Sequence, residues 1–362
     1  MISAGKQAQE PGHVNQIQSQ HPGAATRRDD NIDTLRGFAC VLLVIFHVIG
    51  YNAQTGLELP DGHPLREFAY ALTSIRMPLF TVLSGWVYAW RPLKSAPAIP
   101  GFMQGKLRRL MLPLFFVGGA NAILMALMSD PSLRPDLLIL PFKALVIPHS
   151  VYWFLNALFF VFIVVVVLEV LGAMNTFRGW AVVFLLALAA EAITPSLPRH
   201  FGIGGGVYLL AFFILGVGLN RFKNVLLSAR LRPYIYIAAL IMFAIDQYYL
   251  QTHGFLRTPE AHMIRCVTGV VCTTALLHLS PQWKPLAFIG ASSYAIYLFH
   301  VFGVAGGREL AMKLLPAGGV PFAFAISLIV GLFAPLLVQA IAKRIPLLRT
   351  ALLGLRFSSS PR

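Results

Sequence analysis

From Asp33 onward the chain is a succession of apolar runs separated by short polar breaks. Crossing about 30 Å of hydrocarbon as a helix takes roughly 20 apolar residues. Ten segments approach that length: Leu35–Tyr51, Phe68–Trp90, Leu110–Met128, Tyr152–Ala173, Phe177–Ala192, Val207–Leu219, Tyr234–Leu250, Ala261–Leu279, Leu286–Val304 and Val320–Ile341. The fifth and sixth are short. Pro78 and Gly85 fall inside the second, which predicts a kink or break there. Gly202-Ile-Gly204-Gly205-Gly206 precedes the sixth and is not followed by Lys-Ser/Thr, so it is not a phosphate loop and reads as a flexible outer turn. No soluble domain is inserted between the runs. The pattern predicts an all-α integral membrane protein, with about ten transmembrane helices in a single bundle.

Composition agrees with that pattern. Hydrophobic residues make up 57% of 362 positions and charged residues 12%, and the mean hydropathy is +0.70. A globular domain carries about 25% charged residues to wet its surface. Residues 1–33 are polar, rich in Gln, Pro and Gly, and lack the apolar stretch of a secretory signal, so they read as a disordered cytoplasmic tail. The membrane domain then spans 34–345, and 346–362 form a basic cytoplasmic tail. Cys40, Cys266 and Cys272 all lie within apolar runs, where a disulfide framework or zinc site is not expected.

The net charge of +15 has a topological reading. With the N-terminus inside, 19 of the 29 basic side chains fall on the inner face. These include Lys6, Arg27, Arg28, Lys94, Lys106, Arg108, Arg109, Arg221, Lys284, Arg349 and Arg362. Only Arg66, Arg134, Lys143, Arg199, Arg257, Arg308 and Lys313 fall outside. The positive-inside rule therefore puts both termini in the cytoplasm. It also weakens any appeal to nucleic acid, while a basic inner face suits anionic lipids and anionic cytoplasmic substrates.

Ionisable residues inside apolar segments are costly and point to function. Arg36 and His47 share the first segment, eleven positions apart. Three helical turns bring them to nearly the same face, about 16 Å apart along the axis. The arginine falls at the cytoplasmic edge and the histidine in the outer half. An imidazole can take and return a proton near neutral pH, but Arg36 could equally snorkel and His47 could make a packing hydrogen bond. His300, one turn beyond Tyr297, has the same two readings. Tyr152 and Trp153 open the fourth segment as an aromatic belt or a sugar platform. Asp246 and Glu191 are candidates for a polar wall or for the acid partner of His47.

Five blocks share an order with a known family. Asp33-Thr-Leu-Arg36-Gly with His47 resembles the opening of the membrane-bound acyltransferase-3 family, whose first helix carries Arg, ten residues, then His. Arg76-Met-Pro-Leu-Phe-Thr-Val-Leu-Ser84-Gly85, Lys106-Leu-Arg-Arg109 leading to Pro113, Tyr152-Trp153-Phe154-Leu155, and Ser293-Tyr294-Ala-Ile-Tyr297-Leu-Phe-His300 resemble later blocks of that family. Two positions depart from it. Arg76 stands where many relatives have His before Met-Pro, and Lys106 replaces the first arginine of the basic run, keeping the charge but losing the fork. The length resembles the stand-alone form, without a C-terminal hydrolase-like domain.

The resemblance implies an O-acyltransferase, chiefly an O-acetyltransferase, of lipid-linked or cell-surface glycans in a cell inner membrane. It would use acyl-CoA as co-substrate and hold no permanent cofactor. It implies His47 and Arg36 as catalytic residues. Lys106 and Arg109 would meet the donor, and Trp153, Tyr297 and His300 the acceptor. No Gly-x-Ser-x-Gly elbow or HExxH is present, which favours direct transfer without a catalytic metal. The competing expectation is a secondary transporter or flippase for a glycan intermediate, though no internal repeat supports it.

Overall fold

Each apolar run folds as a helix because lipid supplies no hydrogen-bond partner for a peptide group. The computed structural model describes residues 30–93, 95–129, 137–254, 258–315 and 318–357. Of the expected disordered tail over 1–33, residues 1–29 lie outside the described residues, as do Lys94, Arg134, Arg257 and Arg362, while residues 30–33 are not tail but the first turn of a helix. The chain runs α1 (Asp30–Ile49), α2 (Pro64–Ala71), α3 (Thr73–Trp90), α4 (Ile99–Lys106), α5 (Gly119–Ser129), α6 (Leu140–Val146), α7 (Trp153–Val170) and α8 (Phe177–Ala189). It continues through α9 (Ile203–Arg221), α10 (Lys223–Leu226), α11 (Arg232–His253), α12 (Pro259–Leu279), α13 (Lys284–Ala291), α14 (Ser293–Leu314), α15 (Gly319–Arg344) and α16 (Pro346–Leu353).

Among the described residues, eight stretches are long and apolar enough to cross a membrane, and nine if the bent pair α13–α14 counts as one span. The remaining predicted span is α3, 18 residues long. Its Ser74, Arg76 and Ser84 make it too polar for that criterion. It can afford them because it lies inside the bundle, packed on α1, α9 and α12. The outer helices show the opposite pattern. On α15 Ile329, Phe333, Leu337 and Ile341, spaced by four, are exposed together and form a lipid-facing stripe. The buried core gathers Leu79 and Leu83 of α3, Phe212, Phe213 and Ile214 of α9, and Leu155 of α7.

Four further expectations are corrected. The second span is broken at Leu72, between α2 and α3, and α3 runs on through Pro78 and Gly85. Pro78 has no N–H for the Ser74 carbonyl four residues back, so its disturbance falls upstream, near the first turn of α3. The ninth span is two helices meeting at 82° around Ser292, and the Ser292 hydroxyl donates to Gln339 Oε1 at 3.0 Å. The glycine run is not a turn: Gly202 caps α9 with φ of +72°, and Gly204–Gly206 form its first turn against α7. The expected C-terminal tail begins as a helix, with Pro346 in its first turn and Gly354 as a left-handed cap. Arg108 Nε donates to the Gly354 carbonyl at 3.2 Å, tying that helix to the bundle.

Helix α4 passes into α5 through two π turns, Leu107–Met111 and Leu114–Gly118, on either side of Pro113. Widened turns let a helix continue past a residue that cannot donate.

Two pairs of glycines set the tightest crossings. A Cβ on Gly85 of α3 would strike the Phe213 carbonyl of α9, and one on Gly216 of α9 would strike the Val82 carbonyl of α3. Gly37 of α1 and Gly290 of α13 meet the backbones at Leu286 and Asp33 in the same reciprocal way. Small residues allow this approach where burial in lipid gives helices no hydrophobic drive to associate. Gly85→Ala should therefore lower the melting temperature of the detergent-purified protein, with a cost of about 1–3 kcal/mol from overpacking. Gly101→Ala in α4, where nothing stands within 4 Å of the new methyl, should leave it unchanged or raise it. Equal melting temperatures for the two variants would remove close approach as the reason for Gly85.

Candidate active site

The first helix meets α14 through stripes spaced by four. Cys40, Val44 and Val48 of α1 pack with Ile296 and Val304 of α14 in one buried cluster. His300 lies between Ile296 and Val304 on the same stripe, and it is fully buried. It meets His47, which follows Leu43 by one turn. The ring centroids are 4.8 Å apart, edge to face, and His300 Nε2 lies 3.3 Å from His47 Nδ1. The two histidines, 253 positions apart in sequence, form one pair.

Hydrogen bonding orients both rings. His300 Nδ1 lies 3.0 and 2.9 Å from the carbonyl oxygens of Ile296 and Tyr297. A carbonyl only accepts, so Nδ1 carries the proton, and Nε2 of the neutral ring is an acceptor. His47 Nδ1 lies 2.8 Å from the Leu43 carbonyl, so it too carries a proton, shared between that oxygen and His300 Nε2. The lone pair of His47 is left on Nε2, which forms no hydrogen bond with the described residues. His47 is only partly buried. The arrangement leaves one imidazole nitrogen free to take a proton, held by a second imidazole that does not reach the surface.

Arg76 enters the same region from the first turn of α3. Its guanidinium carbon stands 3.6 Å above the Phe46 ring, which meets His47 edge-on at 5.3 Å. Arg76 is 8% exposed and its Nε has no partner. The two acids considered as partners of His47 lie elsewhere. Asp246 accepts from the Ser74 hydroxyl at 2.5 Å, and Glu191 is wholly buried with neither carboxyl oxygen hydrogen-bonded. Of the expected acceptor residues, Trp153 stands beside Tyr208, centroids 6.4 Å apart. Tyr297 donates its hydroxyl to the Val151 carbonyl at 2.7 Å and is buried. His300 sits behind His47.

The opposite end of α1 collects the other basic candidates. Arg36 Nη1 lies 3.3 Å from Asp33 Oδ1, one turn back, and remains partly exposed. Lys106 Nζ sits 3.7 Å over the Phe162 ring and 4.9 Å from that of Phe102, so aromatic faces carry part of its charge. Arg109 lies over Tyr294 at 5.4 Å, and the Tyr294 hydroxyl bonds the Arg109 carbonyl. Tyr294 opens α14, and α13 before it packs along the first turns of α1. Arg36 and Arg109 thus belong to one end of the bundle, and the histidine pair lies toward the other.

The acyltransferase-3 family model, described as an acyltransferase domain, matches residues 29–341. The chain belongs to this family. No curated protein and no solved structure matches it. This acyltransferase-3 protein is therefore a membrane-embedded acyltransferase, and the carrier considered from sequence alone gives way to an enzyme. The match runs from the first turn of α1 almost to the end of α15 and so contains both histidines. What the sequence did not reveal is the pairing of His47 with His300, or the place of Arg76 beside them. The i, i+4 stripes of α1 and α14 were legible, but their partnership was not.

If His300 acts through His47, the two should not be additive. His47→Gln should lower kcat by about 10²–10⁴, the usual loss for a positioned base. His300→Phe should lower it less, and the double variant should be no slower than His47→Gln. His300→Gln, which can place an acceptor near the former Nε2, should recover part of the His300→Phe loss. Additive losses in the double-variant cycle would mean that His300 works independently.

Proposed function

We propose that this acyltransferase is an O-acyltransferase, chiefly an O-acetyltransferase. It takes its acyl group from cytoplasmic acyl-CoA and passes it to a hydroxyl of a lipid-linked or cell-surface glycan. The reading places it in a cell inner membrane with both termini cytoplasmic. The observation that carries it is the His47–His300 pair, in a chain of this family, with a free imidazole nitrogen about three helical turns from Arg36. Acyl transfer from a thioester to a hydroxyl needs a base for the hydroxyl proton and an anchor for an anionic donor.

In this reading the acceptor hydroxyl gives its proton to His47 Nε2 as its oxygen bonds to the thioester carbonyl carbon. The carbon–sulfur bond then breaks, and the departing thiolate takes the proton from His47. The ring ends as it began, so no covalent enzyme intermediate is required. Arg36 and Arg109 supply cations where the phosphates of coenzyme A would arrive, and guanidinium groups grip phosphate through paired N–H bonds. Lys106 contributes charge to the same end while its ammonium group rests on Phe162 and Phe102. The acceptor approaches from the His47 end, past Trp153.

Two experiments test this reading. Purified protein given radiolabelled acetyl-CoA and a glycan acceptor should release CoA and label the glycan, and Arg109→Glu should raise the KM for acetyl-CoA while leaving kcat within a fewfold. Release with no labelled glycan would leave a hydrolase, and an unchanged KM would make Arg109 a topology signal alone. For orientation, cysteines replacing exposed Glu67 and Arg356 should react oppositely with an impermeant maleimide in intact cells, because the native cysteines are buried. Glu67→Cys should label from outside and Arg356→Cys only after permeabilisation. The reverse result would invert the bundle.

A further inference from the structure

The transfer just described creates a negative charge that His47 cannot hold. As the acceptor oxygen bonds to the thioester carbon, the carbonyl electron pair moves onto oxygen. The resulting tetrahedral oxyanion must be met by a donor already in place. Five hydroxyls on α3 and α14 are committed elsewhere. On α3 the Ser74 hydroxyl donates to Asp246 at 2.5 Å, Thr81 to the Met77 carbonyl at 2.9 Å and Ser84 to the Phe80 carbonyl at 2.8 Å. On α14 Tyr297 donates to the Val151 carbonyl at 2.7 Å, and Tyr294 bonds the Arg109 carbonyl.

Arg76 differs from them. It is more than nine-tenths buried, its Nε is without a hydrogen bond, and among the described residues no carboxylate forms an ion pair with it. A buried cation without a counter-ion is costly, so it marks a place where negative charge is expected. The Phe46 ring supports one face of its guanidinium at 3.6 Å and stands 5.3 Å from the His47 ring. Phe46 and His47 are adjacent on α1, so one turn of helix fixes the cation and the base together. A planar guanidinium resting on a ring keeps its N–H edges free for a ligand in its own plane.

The geometry points to Arg76 as the catalytic residue that donates hydrogen bonds to the thioester carbonyl oxygen as it becomes an oxyanion. The proposal rests on the acyl-transfer reading above. The carbonyl pair moves onto oxygen beside Arg76 while the hydroxyl proton moves to His47 Nε2. The pair then returns, the carbon–sulfur bond breaks, and the sulfur leaves with that proton. Arg76 gains most when the oxygen carries full charge, so it accelerates transfer without tightening the ground-state complex.

The test is steady-state kinetics of the purified full-length protein with acetyl-CoA and glycan acceptor. Arg76→Gln should lower kcat by about 10²–10³, the usual effect of losing one oxyanion donor, with the KM for both substrates within about threefold of wild type. Arg76→Lys, which keeps a cation but not the planar fork, should fall between them. A variant with normal kcat and a raised KM would assign Arg76 to recognition of a substrate anion, such as a carboxylate on the acyl group or on the sugar, and would overturn the proposal. Normal kcat and KM would make it a structural cation and would overturn it as well. If Arg76→Gln fails to insert, Arg76→Lys decides on the same split: lower kcat at constant KM supports the proposal, and any other result overturns it. A wild-type protein that turns over no acyl-CoA would overturn the acyl-transfer reading itself, and the inference with it. A variant that matches an active wild type would overturn the inference alone.

Discussion

A helix that carries ionisable side chains can stand in a membrane only if other helices shut it away from lipid. That constraint organises this bundle. The chemistry-bearing residues are concentrated on α1 and α3, which hold Asp33, Arg36, His47, Ser74 and Arg76. Both helices lie inside, with α9, α12, α13, α14 and α15 among their neighbours. The enclosing helices approach closely only where side chains are absent. Gly85 with Gly216 and Gly37 with Gly290 bring backbones into contact on both sides of the polar pair of helices. The outer members, α11 and α15, present Ile, Leu and Phe to the surroundings.

Enclosure gives the polar groups fixed partners and orientations. Within the protein, hydrogen bonds compete with little water, so the two carbonyls below His300 and the one below His47 determine which ring nitrogen carries a proton. The result differs from a carboxylate-oriented histidine. Asp246 is satisfied by Ser74 and Glu191 bonds to neither histidine, so a second neutral imidazole takes the orienting place. A cation on the Phe46 ring then stands beside the pair, with no carboxylate paired to it among the described residues. In the proposed transfer, the missing negative charge is the one the reaction generates.

The two ends of α1 divide the work by distance. Arg36 at one end and His47 at the other are linked by about three rigid turns, so in the proposed reaction a donor held by its phosphates at the basic end would extend its thioester along the helix to reach His47. The π turns around Pro113 and the close of α16 on Arg108 belong to that same basic end.

Much of this was legible in the sequence, because length and apolar continuity act locally. The ten apolar segments all fall on helices, Arg36 and His47 share one of them, and the ordered blocks from Asp33 to His300 belong to the family whose model matches the chain. The breaks were less legible. Pro78 was a visible signal, yet the interruption fell at Leu72, and the 82° bend at Ser292 had no local sign. The site itself was decided by tertiary structure. His47 and His300 were each ambiguous because a lone intramembrane histidine can either pack or react. Only the crossing of α1 with α14 brings them to 3.3 Å and spends three of their four ring nitrogens. Arg76 read as a departure from a family block until the fold set it on Phe46, with no carboxylate paired to it among the described residues. Helical periodicity tells a residue which face of its own helix it occupies. It carries no record of which other helix will cover that face, and the charge balance of a buried site depends on that neighbour.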